Sequence, residues 1–537
     1  MTRVRRITSS GVARALKHWG WGYEDEQPSR SELREAAGFL TGRLGFGSPE
    51  PERPVPMSDV ALPASRLRPP ESLSAFCSTD GYERALHAYG RSYRDIVRAF
   101  RGRFDHPPDV VARPRSENEA QAVLDWAVSA GAAVIPFGGG TSVVGGVEAA
   151  GCKDYAGVVT IDLKSLDTVL EVDPVSLSAR IQAGATGPRL EEQLSEHGLT
   201  LRHFPQSFQF STLGGWIATR AGGHFATLYT HIDDLVESVR TLTPAGVWES
   251  RRLPASGAGV SPDRMLIGSE GTLGVITEAW VRVRPRPTHR ATTPVQFADF
   301  SAGVEAVRAL SQSGLYPTNC RLIDAREAEV TGAGDGSYAL LVLGFESADH
   351  DVERWMTTAL ECCADHGGSW ERRGSKDGGS VGSWREAFLG APYLRDVFVA
   401  IGVLSETFET AITWDRFADF HQRVVAHTTD AVARTCGAGT VTCRFTHVYP
   451  DGPAPYYTIL APARRGEELE QWAEIKRAAA EAVIAGGGTI THHHAVGRDH
   501  RPWYDRQRPE PFATALRGAK AAIDPTGALN PGVLFDP

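Results

Sequence analysis

Three consecutive histidines, His492, His493 and His494, lie in the run GGTITHHHAVG near the end of a 537-residue chain. Imidazole is the side chain whose ordinary pKa suits proton handling near neutrality. The residues before them, Thr489 to Thr491, read as a short strand, so His492 and His494 would share one face and His493 the other. Two histidines at that spacing could hold zinc, but the sequence shows no third ligand nearby, and no metal is expected. A satisfied structural cluster is the remaining alternative to catalysis. Arg321 and Arg395 each lie in an apolar run, Cys320 to Ile323 and Phe388 to Val399. A guanidinium there needs a partner. The partner is either a substrate phosphate, gripped by the guanidinium fork, or the adjacent Asp324 or Asp396. Taken alone, the residues favour the salt bridge. A tyrosine pair, Tyr456–Tyr457, follows a strand over Phe445 to Tyr449.

A second kind of chemistry is written in glycine. The stretch PFGGGTSVVGG, Pro136 to Gly146, holds five glycines in eleven residues. Glycine brings bare N–H groups against a ligand, and with Thr141 and Ser142 they make a nest for phosphate oxygens. PQSFQFSTLGGWIATRAGG (Pro205 to Gly223) and GSEGTLGVITEA (Gly268 to Ala279) repeat that chemistry. Three such loops point to one large phosphate-bearing cofactor. The two common nucleotide folds are disfavoured: both put a helix straight after the glycines, whereas here a strand follows, Val158 to Leu163. The GxGxxG spacing and the Gly-Lys-Ser/Thr element are also missing.

The elements that must carry these residues begin with a strand at Val110 to Ala112. Ser116 and Glu119 then form a capping box. Val123, Leu124, Ala127 and Val128 give a helical face ending at Gly131, and the strand Ala132 to Ile135 delivers the first glycine loop. The third loop feeds an alternating strand in which Val275, Thr277, Ala279, Val281 and Val283 share a face. Pro285 and Pro287 end it, and a domain boundary is expected there. A second α/β domain then has a helix over Ala302 to Ser313 and strands at Cys320 to Ile323 and Tyr338 to Phe345. Arg372 to Ser383, rich in glycine and serine, is a candidate mobile loop, and the helix Glu467 to Ile484 precedes the histidines.

Composition narrows the class. A formal net charge of −9 argues against nucleic-acid binding, which needs a basic surface. No run of about 18 apolar residues is present, so no membrane span is expected. The N-terminus is basic without an apolar segment and does not read as a secretory signal. Arg3, Arg5, Arg6, Arg14 and Lys17 could touch an anionic membrane, but a solvated, Pro-rich lead-in is the favoured reading. Seven irregularly spaced cysteines suggest a reduced, cytoplasmic setting. The last residues, Phe535, Asp536 and Pro537, do not form a Ser-Lys-Leu peroxisomal signal.

With these motifs in place, the sequence resembles the alkyldihydroxyacetonephosphate synthase family, from His18 in HWGWGY almost to the C-terminus. The resemblance implies an α+β chain: a vanillyl-alcohol-oxidase-type FAD-binding domain (71–287) and an α/β cap domain (288–490). A partly helical lead-in (1–70) precedes them, and a segment at 491–537 closes the site on the flavin. FAD, held non-covalently, would meet Pro136, Phe137, Gly138, Gly139, Gly140, Thr141 and Ser142 from the first loop. Gln206, Ser207, Phe208, Gln209, Phe210, Ser211 and Thr212 would follow from the second, with Ala218, Thr219, Arg220 and Ala221. The third would add Glu270, Gly271, Thr272, Leu273, Gly274, Val275 and Ile276. The markers RLID, YLRD, LSETFET and GGTITHHHAVG are narrower. By them Tyr456 is the catalytic tyrosine, with Tyr457 still open. His492 to His494 are the essential triplet, Arg395 meets the substrate phosphate, and Arg321 is a second active-site arginine. The implied reaction replaces the acyl chain of acyl-dihydroxyacetone phosphate with a long-chain alcohol, the flavin taking part without net redox. A homodimer with peripheral membrane contact is implied too. The competing expectation is an FAD-linked oxidase or dehydrogenase of a 2-hydroxy acid such as D-lactate or glycolate.

Overall fold

The computed structural model describes residues 14–371 and 380–536. Arg3, Arg5, Arg6 and residues 372–379 of the expected mobile loop lie outside the described residues; from Ser380 the backbone is helix, Ser380–Ala400. Strand Val110–Ala112, helix Glu117–Ser129 and strand Ala133–Phe137 make the opening βαβ unit. The Ser116 hydroxyl accepts from the Glu119 N–H at 3.2 Å. The Glu119 carboxylate takes the Arg115 N–H instead of that of Ser116, so the expected reciprocal box is only half made. Ala120, Val123, Leu124 and Ala127 bury one helix face against the sheet. Strand Val158–Asp162 pairs in parallel with both other strands, so the first glycine loop leaves the carboxyl rim of a parallel sheet, where ligands collect.

The next sheet is antiparallel, in the order Val169–Asp173, Ser178–Gln182, Val275–Arg282, Val236–Thr243, Gly246–Glu249. Val275, Thr277, Ala279 and Val281 are buried along the third of these, as a period of two requires. The C-terminal turn ties the loops together: the Asn530 amide donates to the Gly146 carbonyl at 3.0 Å and to the Glu270 carbonyl at 2.6 Å.

The cap is a six-stranded antiparallel sheet in the order His289–Phe297, Ala339–Ser347, Asn319–Ile323, Thr440–Tyr449, Gly452–Pro462, Val403–Glu409. Helices Phe300–Gln312, Glu353–Asp365, Trp414–Cys436 and Glu468–Gly486 share one apolar core with its Cys443, Phe445, Tyr457 and Ile459 side chains. Alternation then turns Thr442, Arg444, Thr446, Tyr456 and Thr458 to the other face. The α+β class expected from the sequence is what the chain forms.

The lead-in departs from expectation. Over Lys17 to Gly22 it is no solvated arm. Trp19 and Trp21 are buried, Trp19 lying edge-on to Phe100 with ring centroids 5.2 Å apart. The Lys17 ammonium stands 3.3 Å from the Asp396 carboxylate, which also accepts the Trp21 N–H at 3.0 Å. Burying two indoles outweighs the local polarity that made the segment read as solvated.

Candidate active site

The three glycine loops, the inner face of the cap sheet and the lead-in with its helix Arg30–Leu44 line one continuous, partly open cavity of about 4230 Å³. Small-ligand pockets span roughly 300–1,000 Å³, so this one has room for a dinucleotide and a long chain together. Its walls fit a large phosphate-bearing cofactor. A Cβ on Gly139 would sit 2.0 Å from the Phe210 carbonyl oxygen, and one on Gly138 would sit 2.2 Å from the Thr212 hydroxyl. The first two loops therefore touch directly, and only glycine fits. All the first-loop residues from Pro136 to Ser142 line the cavity, as do Gln206 to Thr212, Ala218, Thr219 and Ala221. Glu270, Gly271, Gly274 and Ile276 do so from the third loop. Four expected residues do not. The Arg220 side chain turns away to Asp233 at 2.8 Å, while Thr272, Leu273 and Val275 are buried behind the wall. Glu270 is buried with its carboxylate on the Val496 and Gly497 N–H groups at 2.9 and 2.8 Å. Burial pushes its pKa up to about 7, the two N–H groups opposing.

Opposite the loops stands the cap strand Gly452–Pro462. Tyr456 points into the cavity, and Tyr457 points into the core, where its hydroxyl lies 3.2 Å from His421 Nδ1. Tyr456 pairs in register with Arg444 on one side and Glu409 on the other. Arg444 places its guanidinium carbon 3.9 Å from the Tyr456 ring centroid and is ion-paired to buried Glu327, which also accepts the Thr442 hydroxyl at 3.0 Å.

The histidines form a turn and not the expected strand. Glu409 explains why. Its buried carboxylate accepts the N–H groups of His492, His493 and His494 at 2.5, 3.2 and 2.9 Å, and the Thr491 hydroxyl at 2.6 Å. Three successive N–H groups reach one anion only if the chain curls around it. Burial alone would raise the Glu409 pKa, but the imidazoles and Thr491 outweigh it and hold it well below the carboxylate range. The expected shared face of His492 and His494 is lost with the strand. His493 and His494 line the cavity, their rings 6.0 and 5.4 Å from that of Tyr456. His492 faces away, with Nε2 2.7 Å from the Tyr449 hydroxyl and 3.1 Å from His231 Nε2. Burial pushes all three imidazole pKa values down, with the Glu409 charge opposing. His447 completes the cluster: one ring nitrogen each from His447, His492 and His493 lie within 4.8 Å of one another. The third imidazole absent from the local sequence is supplied by a distant strand.

Neither arginine makes the salt bridge first favoured. Asp324 caps the helix Ala325–Thr331 through the Glu327 N–H, and Asp396 takes Lys17 and Trp21. Arg395 lines the cavity, donating to the Arg91 carbonyl at 3.1 Å, and no described carboxylate pairs with it. Arg321 is buried at the cavity wall; burial and then neighbouring Arg444 push its pKa down. Glu409, Arg444, Glu327, Tyr449, His231 and His447 were missed by sequence reasoning. Only Glu409 had a signal, its place in LSETFET.

The chain matches the FAD binding domain family over residues 108–250 and the FAD linked oxidases, C-terminal domain family over 286–534. An alkyldihydroxyacetonephosphate synthase of Trypanosoma brucei brucei is 30% identical over 482 residues, covering 85% of this chain and 78% of that one. A glycolate oxidase subunit GlcD of Bacillus subtilis is 26% identical over 80% of this chain and 89% of its own. A solved alkyldihydroxyacetonephosphate synthase superposes with a TM-score of 0.81 at 26% identity, over 96% of this chain and 98% of that one.

Proposed function

The chain belongs to the alkyldihydroxyacetonephosphate synthase family, and from that premise we propose that it is an FAD enzyme exchanging the acyl chain of acyl-dihydroxyacetone phosphate for a long-chain alcohol. The product is an ether lipid precursor, formed without net redox. One observation carries the reading: Tyr456, His493, His494, Arg321 and Arg395 line the same cavity as all three glycine loops. FAD, when bound, supplies an electron-poor isoalloxazine as the reactive centre. The chain does the rest. Arg395 grips the substrate phosphate through its guanidinium fork. Tyr456 takes the proton beside the carbonyl, and His493, whose ring stacks at 6.0 Å, receives it. His494 and Arg321 polarise the reacting end of the substrate. Thr442, Thr458 and Leu460 also line the cavity.

The enzyme works as a cytoplasmic homodimer that touches the membrane surface to collect its long-chain substrates. Support for a reducing setting is that all seven cysteines are free. No helix among the described residues is long and apolar enough to cross a membrane. The test is incubation of flavin-loaded protein with palmitoyl-dihydroxyacetone phosphate and hexadecanol, with mass-spectrometric search for the alkyl product. No product, together with anaerobic bleaching of the flavin by D-lactate or glycolate, would move the assignment to an oxidase.

A further inference from the structure

One peptide carbonyl sets the tautomers of three histidines. His231 Nδ1 lies 3.0 Å from the Arg220 carbonyl, which can only accept, so in the neutral ring Nδ1 carries the proton and Nε2 is an acceptor. His492 Nε2 stands 3.1 Å from that acceptor and must donate to it. A neutral His492 then has its lone pair at Nδ1, 3.0 Å from His493 Nδ1, which must donate in turn. Tyr449 is a side branch: it accepts from the same His492 N–H and passes its own proton to Thr230 Oγ1 at 3.0 Å. His493 is on the cavity wall beside Tyr456. His231 is off that wall, half-buried in a loop with exposed Leu228 and Tyr229.

We propose that His493, His492 and His231 form a proton relay between the reaction cavity and solvent, with His231 as its outer terminus. A proton taken up at His493 Nε2 releases the Nδ1 proton to His492 Nδ1. His492 releases its Nε2 proton to His231 Nε2, and the His231 imidazolium gives a proton to water. Outward passage flips the tautomers of His493 and His492, and one proton returning by the same route restores them. A reaction that takes a proton from carbon and later returns one, with no net redox, resets the relay at every turnover. This rests on the transferase reading above. It makes His231 a positioning and proton-carrying residue that acts through His492 and never touches substrate.

The test has two arms on the flavin-loaded full chain. In nitrogen-15 spectra of labelled histidines, His231 and His493 should carry Nδ1–H and His492 should carry Nε2–H; His492 found as Nδ1–H overturns the relay. In the second arm, His231→Gln keeps an acceptor for His492 but cannot carry a proton. It should lower kcat, and the washout of deuterium from the ester-bearing carbon of acyl-dihydroxyacetone phosphate, tenfold or more. KM and flavin content should be unchanged, and added imidazole should restore His231→Ala. Full washout in both variants overturns the relay. If wild-type protein leaves acyl-dihydroxyacetone phosphate untouched, the transferase reading fails, and the tautomer spectra then decide the relay.

Discussion

Arg444 holds its guanidinium carbon 3.9 Å from the centre of the Tyr456 ring, and the two residues are register partners on adjacent cap strands. A cation over an aromatic face is worth about 0.5–2 kcal/mol, the more so when desolvated. Arg444 is buried and its charge is met by Glu327, also buried. Arg444→Leu should therefore destabilise the fold by about 3–5 kcal/mol, because it strands a buried carboxylate. Adding Glu327→Leu should recover most of that loss. Thermal unfolding of the single and double variants measures both, and additive losses would contradict the pairing.

Tyr456→Phe should lower ether formation by about 10²–10⁴-fold, the usual worth of a positioned acid–base group, while the protein stays yellow. Tyr457→Phe should keep activity, since that hydroxyl meets His421 in the core. Product formation by mass spectrometry separates the two tyrosines.

Arg395→Gln should raise KM for acyl-dihydroxyacetone phosphate by roughly ten- to a hundredfold, the equivalent of about 1.5–3 kcal/mol for a charged hydrogen bond. The alcohol's KM should hardly move. Equal effects on both substrates would argue that the arginine does not meet the phosphate.

Gly139→Ala should yield colourless protein. The added Cβ would lie 2.0 Å from the Phe210 carbonyl oxygen, a backbone atom that cannot swing aside. Gly38→Ala, with nothing within 4 Å on the helix Arg30–Leu44, should load flavin normally and gain about 0.5–1 kcal/mol. The absorbance ratio of flavin to protein reports the outcome.

Glu270 gives a pH signature. Its folded pKa, about 7, is above the unfolded value of about 4.3, so the folded state binds the extra proton in between. Stability from this group is therefore complete below about pH 4.3 and is lost as pH rises towards 7. Glu270→Gln should make the unfolding midpoint fall less between pH 5 and 7.5 than in wild type. Parallel curves would mean that the carboxyl is not protonated in the fold.

Much of the cofactor half was legible because its signals are local. A glycine loop after a strand, a hydroxyl-rich turn and an alternating strand each announce themselves within about a dozen residues, and Pro136 to Ser142 line the cavity together. The lead-in misled for the same reason: Trp19 and Trp21 lie in a polar stretch, and only Phe100 and Asp396, far along the chain, show why they are buried.

The sequence by itself determined the loops, the α+β class and the presence of Tyr456, Arg395 and the histidines in one chain. Only the tertiary structure decided how those histidines face. A strand would have split them by alternation, but the Glu409 carboxylate draws three successive N–H groups into a turn. Likewise His231 and His447 join His492 through the meeting of a loop, a cap strand and a turn. Such convergence is set by sheet register and by the cost of burying an unpaired anion, and neither is written in the spacing of neighbouring residues.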